Sequence, residues 1–483
     1  MKKRMNKILA LGLTVAMMFS IAGCSKKDDT PSNSNNNATP TTQATKATEN
    51  TPEASKPSGS GRAEYTADGK RIIKVGTWYE HYYTSDHETI EENPDVTDVE
   101  LAQMQLDNMR AIEEKYNVEF RFVNLTWNGI MESINTSIMS GKPDVDIYET
   151  DLQFGAPAAL SGYAMDISKF AAADSDIFTD QTVLSYLSFS GIDNNYLFKP
   201  VAKTSQLGGN PLSFNLDMIK QAGLENPQDL YDRGEWTWDK FREYLIATTK
   251  DTNGDGTTDV YGYSGWWTVL IENLCMSNGT SIASSATETL SSPATIEAMD
   301  FIYKIYNEDH TAAPWNQDDW NVNNQLYAQQ KSCFFTGAAW IFKEFGMSPD
   351  VGFEIACVPW PTGPSGSYEN NKMMKTSGNY YFIPNGVEDP ELVYNVFYDW
   401  TNWYQGDTEL RDDVEWFQNM MMTERNYQYL ELMGKREQFD MWGNLGLGDN
   451  FSMTPIMSGE KTAAQYAEET KNLVQEALDQ YFK

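Results

Sequence analysis

The chain has 483 residues and a formal net charge of −33, from 69 acidic against 36 basic side chains. That balance excludes nucleic acid and an anionic bilayer as partners, since both repel an acidic surface. The length exceeds what one ordinary core organises, so two or three domains are expected. The 4 cysteines, without zinc-site spacing, supply neither a disulfide framework nor a metal cluster.

Lys2, Lys3, Arg4 and Lys7 precede an apolar run from Ile8 to Ala22 that ends in IAGC. A basic start, a short apolar stretch and small residues before a Cys form the pattern of a bacterial lipoprotein signal. Residues 1–23 would be removed, leaving Cys24 as a lipidated, palmitate-bearing first residue. The run is shorter than the roughly 20 residues that cross the hydrocarbon core. Residues 24–62 are Ser, Thr, Asn, Lys, Pro and Ala, too polar to offset their ordering entropy by burial. They are expected to tether a folded body to the extracellular face of a Gram-positive cell membrane.

The body opens with RIIKVGTWYE, a buried strand ending in aromatics and a carboxylate. A helix follows, its apolar stripe placed on Val99, Leu101, Met104, Met109 and Ile112, and then the strand VEFRFVNLTW. Strand, helix and strand in that order predict a parallel βαβ unit. WNGIMESINTSIM reads as another helix and Val145 to Tyr148 as a third strand. Ligands of open parallel sheets bind beyond the carboxyl ends of the strands. The rule singles out Tyr79 and Glu80, then Trp127, then Glu149 and Asp151.

Further along, EWTWDKFREYLIATT is an amphipathic helix with Trp238, Phe241 and Leu245 inward. DTNGDGTTDVYG comes next, with oxygens at alternate positions around a Gly. Measured on a calcium-loop template, Asp251, Asn253, Asp255, the Thr257 carbonyl and Asp259 take ligand positions, while Gly262 stands where a bidentate Glu is usual. A structural Ca2+ clip and a plain polar turn both stay open. Then come the strand VYGYSGWW, a helix starting at Ser292 and Pro293, the strand CFFTGAAW, two strands in FEIACVPWPTGP and NYYFIPNG with a Pro/Gly loop between them, and terminal helices. A Cys333–Cys357 bridge is also left open.

HExxH, Gly-x-Ser-x-Gly, phosphate-loop and Cys-x-x-Cys patterns are all missing, which removes the commonest hydrolytic and phosphoryl-transfer chemistries. No cofactor is required. What stands out is 14 Trp and 26 Tyr, many at strand ends beside polar groups. Indole and phenol rings take the flat C–H faces of sugars while carboxylates and amides take the hydroxyls. The same set suits an amine-bearing ligand through cation–π contact.

Four pieces in order resemble the extracellular solute-binding proteins of ABC transporters, specifically the family-one, carbohydrate-type group. They are the lipobox with its tether, SGKPDVDIYETD, LSFNLDMIKQAGLENPQDLYDRGEWTWDKF, and CFFTGAAWIF followed by FEIACVPWPTGP. The resemblance implies an α/β, two-lobed periplasmic-binding-protein-like fold (type II), hinged, with discontinuous lobes. Lobe 1 would comprise 63–198 and 345–405, lobe 2 199–344 and 406–483, with crossings near Lys199, Phe345 and Gln405. It implies a monomer that delivers a small carbohydrate to permease subunits. Carried onto this sequence, it implies ligand contacts from Tyr79, Glu80, Tyr148 and Asp151 on one side. The other side would supply Trp266, Trp267 and Trp340, with Asn379 and Tyr380 on a late strand and Trp442 near the last crossing. A surface-anchored glycoside hydrolase and an adhesion module remain the competing readings.

Overall fold

The computed structural model describes residues 63–81, 90, 96, 99–179, 182–183, 196–199, 203, 206–316, 319, 321–336, 352–375, 379–421, 423–447 and 451–482. The predicted signal peptide, Cys24, the whole tether and Trp340 lie outside them. Met1–Lys56 separates from the unit Pro57–Lys483, and the fold is that of the second unit.

β1 (Glu64–Tyr65) and β2 (Arg71–Thr77) open the larger sheet. Ile72, Ile73 and Val75 bury because β2 lies inside the sheet and both its faces are covered. Helix Val99–Tyr116 leads to β3 (Val118–Asn124), parallel to β2 from Arg71↔Val118 to Thr77↔Asn124, so the predicted βαβ unit is present. The helix buries Ala102, Leu106, Met109 and Ile112, whereas Val99 and Met104 of the predicted stripe are exposed. A spacing of four then three residues keeps the buried set on one face; Met104 falls off it, while Val99, seven residues before Leu106, is on that face but is the helix's first residue.

β4 (Ile147–Asp151) runs parallel to β2 and is buried throughout. Asp146, just before it, takes Arg71 Nη2 at 2.6 Å and the Lys74 amide at 2.8 Å. Half of the PDVD motif therefore holds the sheet together. Removing one partner of such a buried pair costs about 3–5 kcal/mol.

β5 (Thr182–Val183) and β6 (Phe198–Lys199) extend this sheet antiparallel. The chain then builds a second sheet from β7 (Leu212–Asn215) and β8 (Tyr261–Gly265). After the β9 (Ala283–Ser284) and β10 (Thr287–Glu288) hairpin it adds β11 (Ser332–Thr336) and β12 (Ile355–Val358). The order is β12-β7-β11-β8, with β11 and β8 parallel. β13 (Met373–Met374) precedes β14 (Asn379–Phe382), which returns to the larger sheet between β4 and β6; β15 (Glu437–Gln438) later pairs with β13. The larger sheet reads β1-β2-β4-β14-β6-β5, with β3 also on β2.

Two sheets, each with its own helices, make a two-lobed α/β molecule that the chain crosses three times. The first crossing lies between β6 and β7. The third lies between helix Pro390–Thr401, packed on Val99–Tyr116, and helix Glu424–Gly434, packed on β12, which brackets the expected Gln405. The second is displaced. β12 pairs with β7, so 352–375 belong with the smaller sheet and the return falls between β13 and β14. A short apolar run such as FEIACV announces a core strand without saying which core.

Phe214, Trp236, Phe241 and Phe334 pack at the centre of the second lobe. Helix Trp238–Thr248 starts where Thr237 Oγ1 accepts the Lys240 amide, and it buries Trp238, Phe241 and Leu245 as predicted. Cys275, Cys333 and Cys357 are free and buried. Cys333 on β11 and Cys357 on β12 flank β7, about 9–10 Å apart at the usual strand spacing, too far to bridge.

Candidate functional site

Tyr79, just beyond the end of β2, donates its hydroxyl to Glu149 Oε1 at 2.9 Å, and Asn379, the first residue of β14, donates Nδ2 to the same oxygen at 2.5 Å. Thr77 Oγ1 shapes the turn by donating to the Tyr79 carbonyl at 2.6 Å. Three segments remote in sequence thus meet on one carboxylate. Glu149 is 2 % exposed, and burial pushes its carboxyl above the usual range against the opposing effect of Asn379, Tyr79 and Tyr381. Within β4, side chains alternate between faces. Glu149 and Asp151 share a face with Tyr381 and Asn379, their partners in the β4–β14 register.

Tyr148 lies on the opposite face. Its ring stacks on Phe382 at 5.0 Å, and its hydroxyl sits 2.7 Å from Ser133 Oγ. It is a core residue, not the expected cleft contact. Tyr380 is likewise fully buried, with the Lys199 amine 5.4 Å from its ring centroid. Burial and then Lys375 pull that amine down to about 8, opposed by Glu437 and Asp151. Lys375 pairs with Glu437 at 2.5 Å, so a charged cluster occupies the strands where the chain changes lobes. Asp151 accepts the Gln153 amide and Nε2, each at 3.1 Å, capping helix Leu152–Leu160.

Glu80 is exposed and accepts Asn124 Nδ2 at 3.0 Å. Trp127 is 44 % exposed and meets Trp78 edge-on at 5.8 Å and Phe154 at 4.7 Å. Trp78, half-buried, is also 5.5 Å from Tyr79, so it links the aromatic array to the Glu149 cluster. Trp78 was missed in the sequence because its neighbour Tyr79 took the strand-end role. Glu149 was noted only as a strand-end carboxylate.

On the smaller sheet, a Cβ at Gly265 (φ 139°) would lie 2.3 Å from Thr336 Oγ1, so only glycine lets β8 close against β11. The chain then leaves the sheet with Trp266 and Trp267 half-buried beyond the strand end. Trp267 lies 5.9 Å from Trp442, so these two predicted residues come together. Trp442 is 2 % exposed, with its Nε1 donating to the Leu447 carbonyl at 3.1 Å and Phe451 edge-on at 5.4 Å. It is interior, behind Trp267. Its helix, Met441–Asn444, packs on helix Leu152–Leu160 of the other lobe. Trp340 falls outside the described residues.

The predicted calcium ligands close a turn on themselves. Asp251 accepts the Gly254 and Gly256 amides at 2.7 and 2.8 Å, Asn253 the Asp255 amide, Asp255 the Thr257 amide, and Asp259 the Thr252 amide, each of these three at 2.8 Å. The Gly256 and Gly254 amides hold the Asp251 carboxyl below the usual range, and the Thr252 hydroxyl, then its amide, do the same for Asp259. A Cβ at Gly262 would sit 2.4 Å from the Leu245 carbonyl oxygen, so the bidentate Glu of the template has no room there. Among the described residues no three His, Cys, Asp or Glu side chains gather to hold a metal. Nor, among them, is any helix long and apolar enough to cross a membrane.

Residues 102–408 match the family model of the bacterial extracellular solute-binding protein. No curated protein matches the chain. Among solved structures, UgpB from Mycobacterium tuberculosis in complex with glycerophosphocholine is similar at TM-score 0.61 and 14% identity, covering 86% of this chain and 100% of that one. The GacH receptor of Streptomyces glaucescens, solved with acarbose, gives 0.59 and 14% over 85% and 99%. An ABC substrate-binding protein from Listeria monocytogenes in complex with cycloalternan gives 0.57 and 13% over 85% and 99%. With the family model covering more than half of its length, the chain belongs to the bacterial extracellular solute-binding protein family.

Proposed function

We propose that the protein captures a carbohydrate, in particular an oligosaccharide, between its lobes and delivers it to the permease of an ABC transporter. It works as a monomer and breaks no bond. The observation that carries the reading is the convergence of Tyr79, Glu149 and Asn379 from three distant segments beside the Trp78–Trp127 rings. An ionised carboxylate and an amide take sugar hydroxyls, and the rings take the C–H faces. Trp266 and Trp267 supply flat surface from the other lobe. A ligand that touches both lobes favours the closed form by its differential affinity for that form, and the permease reads the closed shape. Similar structures hold cycloalternan and acarbose, which supports a carbohydrate in particular. A lipid on Cys24 would keep the protein at the extracellular face of the membrane, beside its permease.

The test is thermal unfolding of the purified protein across a panel of glycans. A binder at about a hundred times its Kd adds roughly 2.7 kcal/mol of stability, and the sugar is recovered intact. Cleaved sugar would replace this reading with the hydrolase. A silent panel together with binding of intact wall polymer would replace it with the adhesion module.

A further inference from the structure

A groove of about 570 Å³ runs along edge strand β8, and it has no part in the Glu149 cluster. Its wall begins with Thr257 from the acidic loop and Tyr261 at the start of β8. It continues with Tyr306 and Trp315 and closes on Ser458. The segment that carries Trp315 is fixed to the strand: the Tyr263 amide donates to the Thr311 carbonyl at 3.1 Å and the Ala313 amide to the Tyr263 carbonyl at 2.8 Å. Asn307 Nδ2 donates to the Ile456 carbonyl at 2.9 Å, tying the Tyr306 segment to the helix that ends before Ser458. The walls are therefore held in place without a ligand. The size falls within the roughly 300–1,000 Å³ of small-molecule sites.

Two features restrict what fits. Among the described residues no Lys, Arg, Asp or Glu lines the groove, while His310 and Tyr, Trp, Thr and Ser side chains do. The Tyr306 hydroxyl is buried and has no hydrogen-bond partner among the described residues. A buried unpaired hydroxyl is costly. Tyr306 also lies in a π-helical stretch, Lys304–Glu308, a local distortion that recurs at functional sites.

We propose that this groove is a second binding site, separate from the Glu149 cluster, for an uncharged ring-bearing polyol of one or two pyranose units. Aromatic faces and neutral hydroxyls match such a ligand, and a described lining without Lys, Arg, Asp or Glu disfavours an ionic one. The inference does not depend on what the interlobe cleft binds.

The test titrates maltose, cellobiose and xylobiose, with benzyl alcohol as an apolar control, into the full folded body by saturation-transfer NMR. At least one disaccharide still binds the Glu149→Gln variant, in which the interlobe cleft is weakened. That binding weakens about ten-fold or more in Trp315→Ala, and equally in Thr257→Trp, which fills the groove from an exposed loop without touching the core. No binding by any of the three sugars overturns the proposal. So does binding that survives both groove substitutions, binding that vanishes in Glu149→Gln, or benzyl alcohol binding the groove more tightly than every sugar.

Discussion

Replacing Glu149 by Gln separates a ligand-binding carboxylate from a structural one. The side chain keeps its shape, so Tyr79 and Asn379 stay close to the amide oxygen that replaces Oε1, 2.9 and 2.5 Å from them in the parent. The parent carboxyl is buried and raised above its ordinary value. A raised acid binds more protons in the folded than in the unfolded state, so stability falls as pH climbs above the ordinary carboxylate range. The Gln variant lacks that penalty and should melt higher than the parent near neutral pH, with the difference vanishing below about pH 4. Ligand affinity should move the other way. A hydrogen bond to a charged acceptor contributes about 1.5–3 kcal/mol, which predicts an affinity loss of roughly 10- to 150-fold. Calorimetry with the sugar that binds the parent measures this, and differential scanning calorimetry measures stability. A variant that is less stable and binds as well as the parent refutes the reasoning, because Glu149 would then serve the fold alone.

The two tryptophans in contact on the second lobe should behave differently: Trp267→Ala loses about 2 kcal/mol of ligand affinity with a small drop in melting temperature. Trp442→Ala, at an interior site, costs about 3–5 kcal/mol of stability; comparable unfolding of both variants would mean that Trp267 is also core. Glu272 and Asp440 are buried near each other, and desolvation raises both, Asp440 to about 6 and Glu272 well above its ordinary value. The folded protein therefore holds protons that the unfolded chain releases, and stability falls as pH rises from the ordinary carboxylate range through about 6. Glu272→Gln should flatten that fall and raise the melting temperature near pH 8 while changing little near pH 4, and an unchanged pH profile would count against the coupling. The turn at Asp251–Asp259 closes on its own hydrogen bonds, which predicts that chelator-stripped protein melts at the same temperature with and without calcium; a calcium-dependent rise would favour the clip. Cys24→Ala should release the protein from membranes and abolish metabolic labelling with palmitate, and retention of either would refute the lipid anchor.

The βαβ opening was legible because an apolar run, an amphipathic stretch and a second run each have a distinct period. The aromatic and polar strand ends were legible too, since Tyr79, Trp127 and Asn379 do sit at ends of β2, β3 and β14. What one strand cannot reveal is its face. Alternation is strict, so an error of one residue moves a side chain to the other side. Tyr148 and Tyr380 were expected in the cleft and are core, while Glu149, between Tyr148 and its other neighbour, is the carboxylate on which the cluster closes. The second crossing was misplaced for a related reason. FEIACV and NYYFIP are both short apolar strands, and only tertiary pairing sends the first to β7 and the second to β4. Trp442 had the composition of a cleft residue, but the burial that makes it core comes from Phe451 and Trp267, which the local sequence does not announce. Gly262 shows the reverse case. Its departure from the calcium template was visible in the sequence, and the close approach of Leu245 supplies the reason.

Isothermal titration of a glycan panel, run on the parent, on Glu149→Gln and on Trp267→Ala, tests the central claim most directly. The account predicts one tight site per chain for at least one oligosaccharide, weakened by either substitution, because each lobe contributes to a single cleft. Tight binding that ignores both substitutions, or the absence of any tight glycan site in the parent, would contradict it.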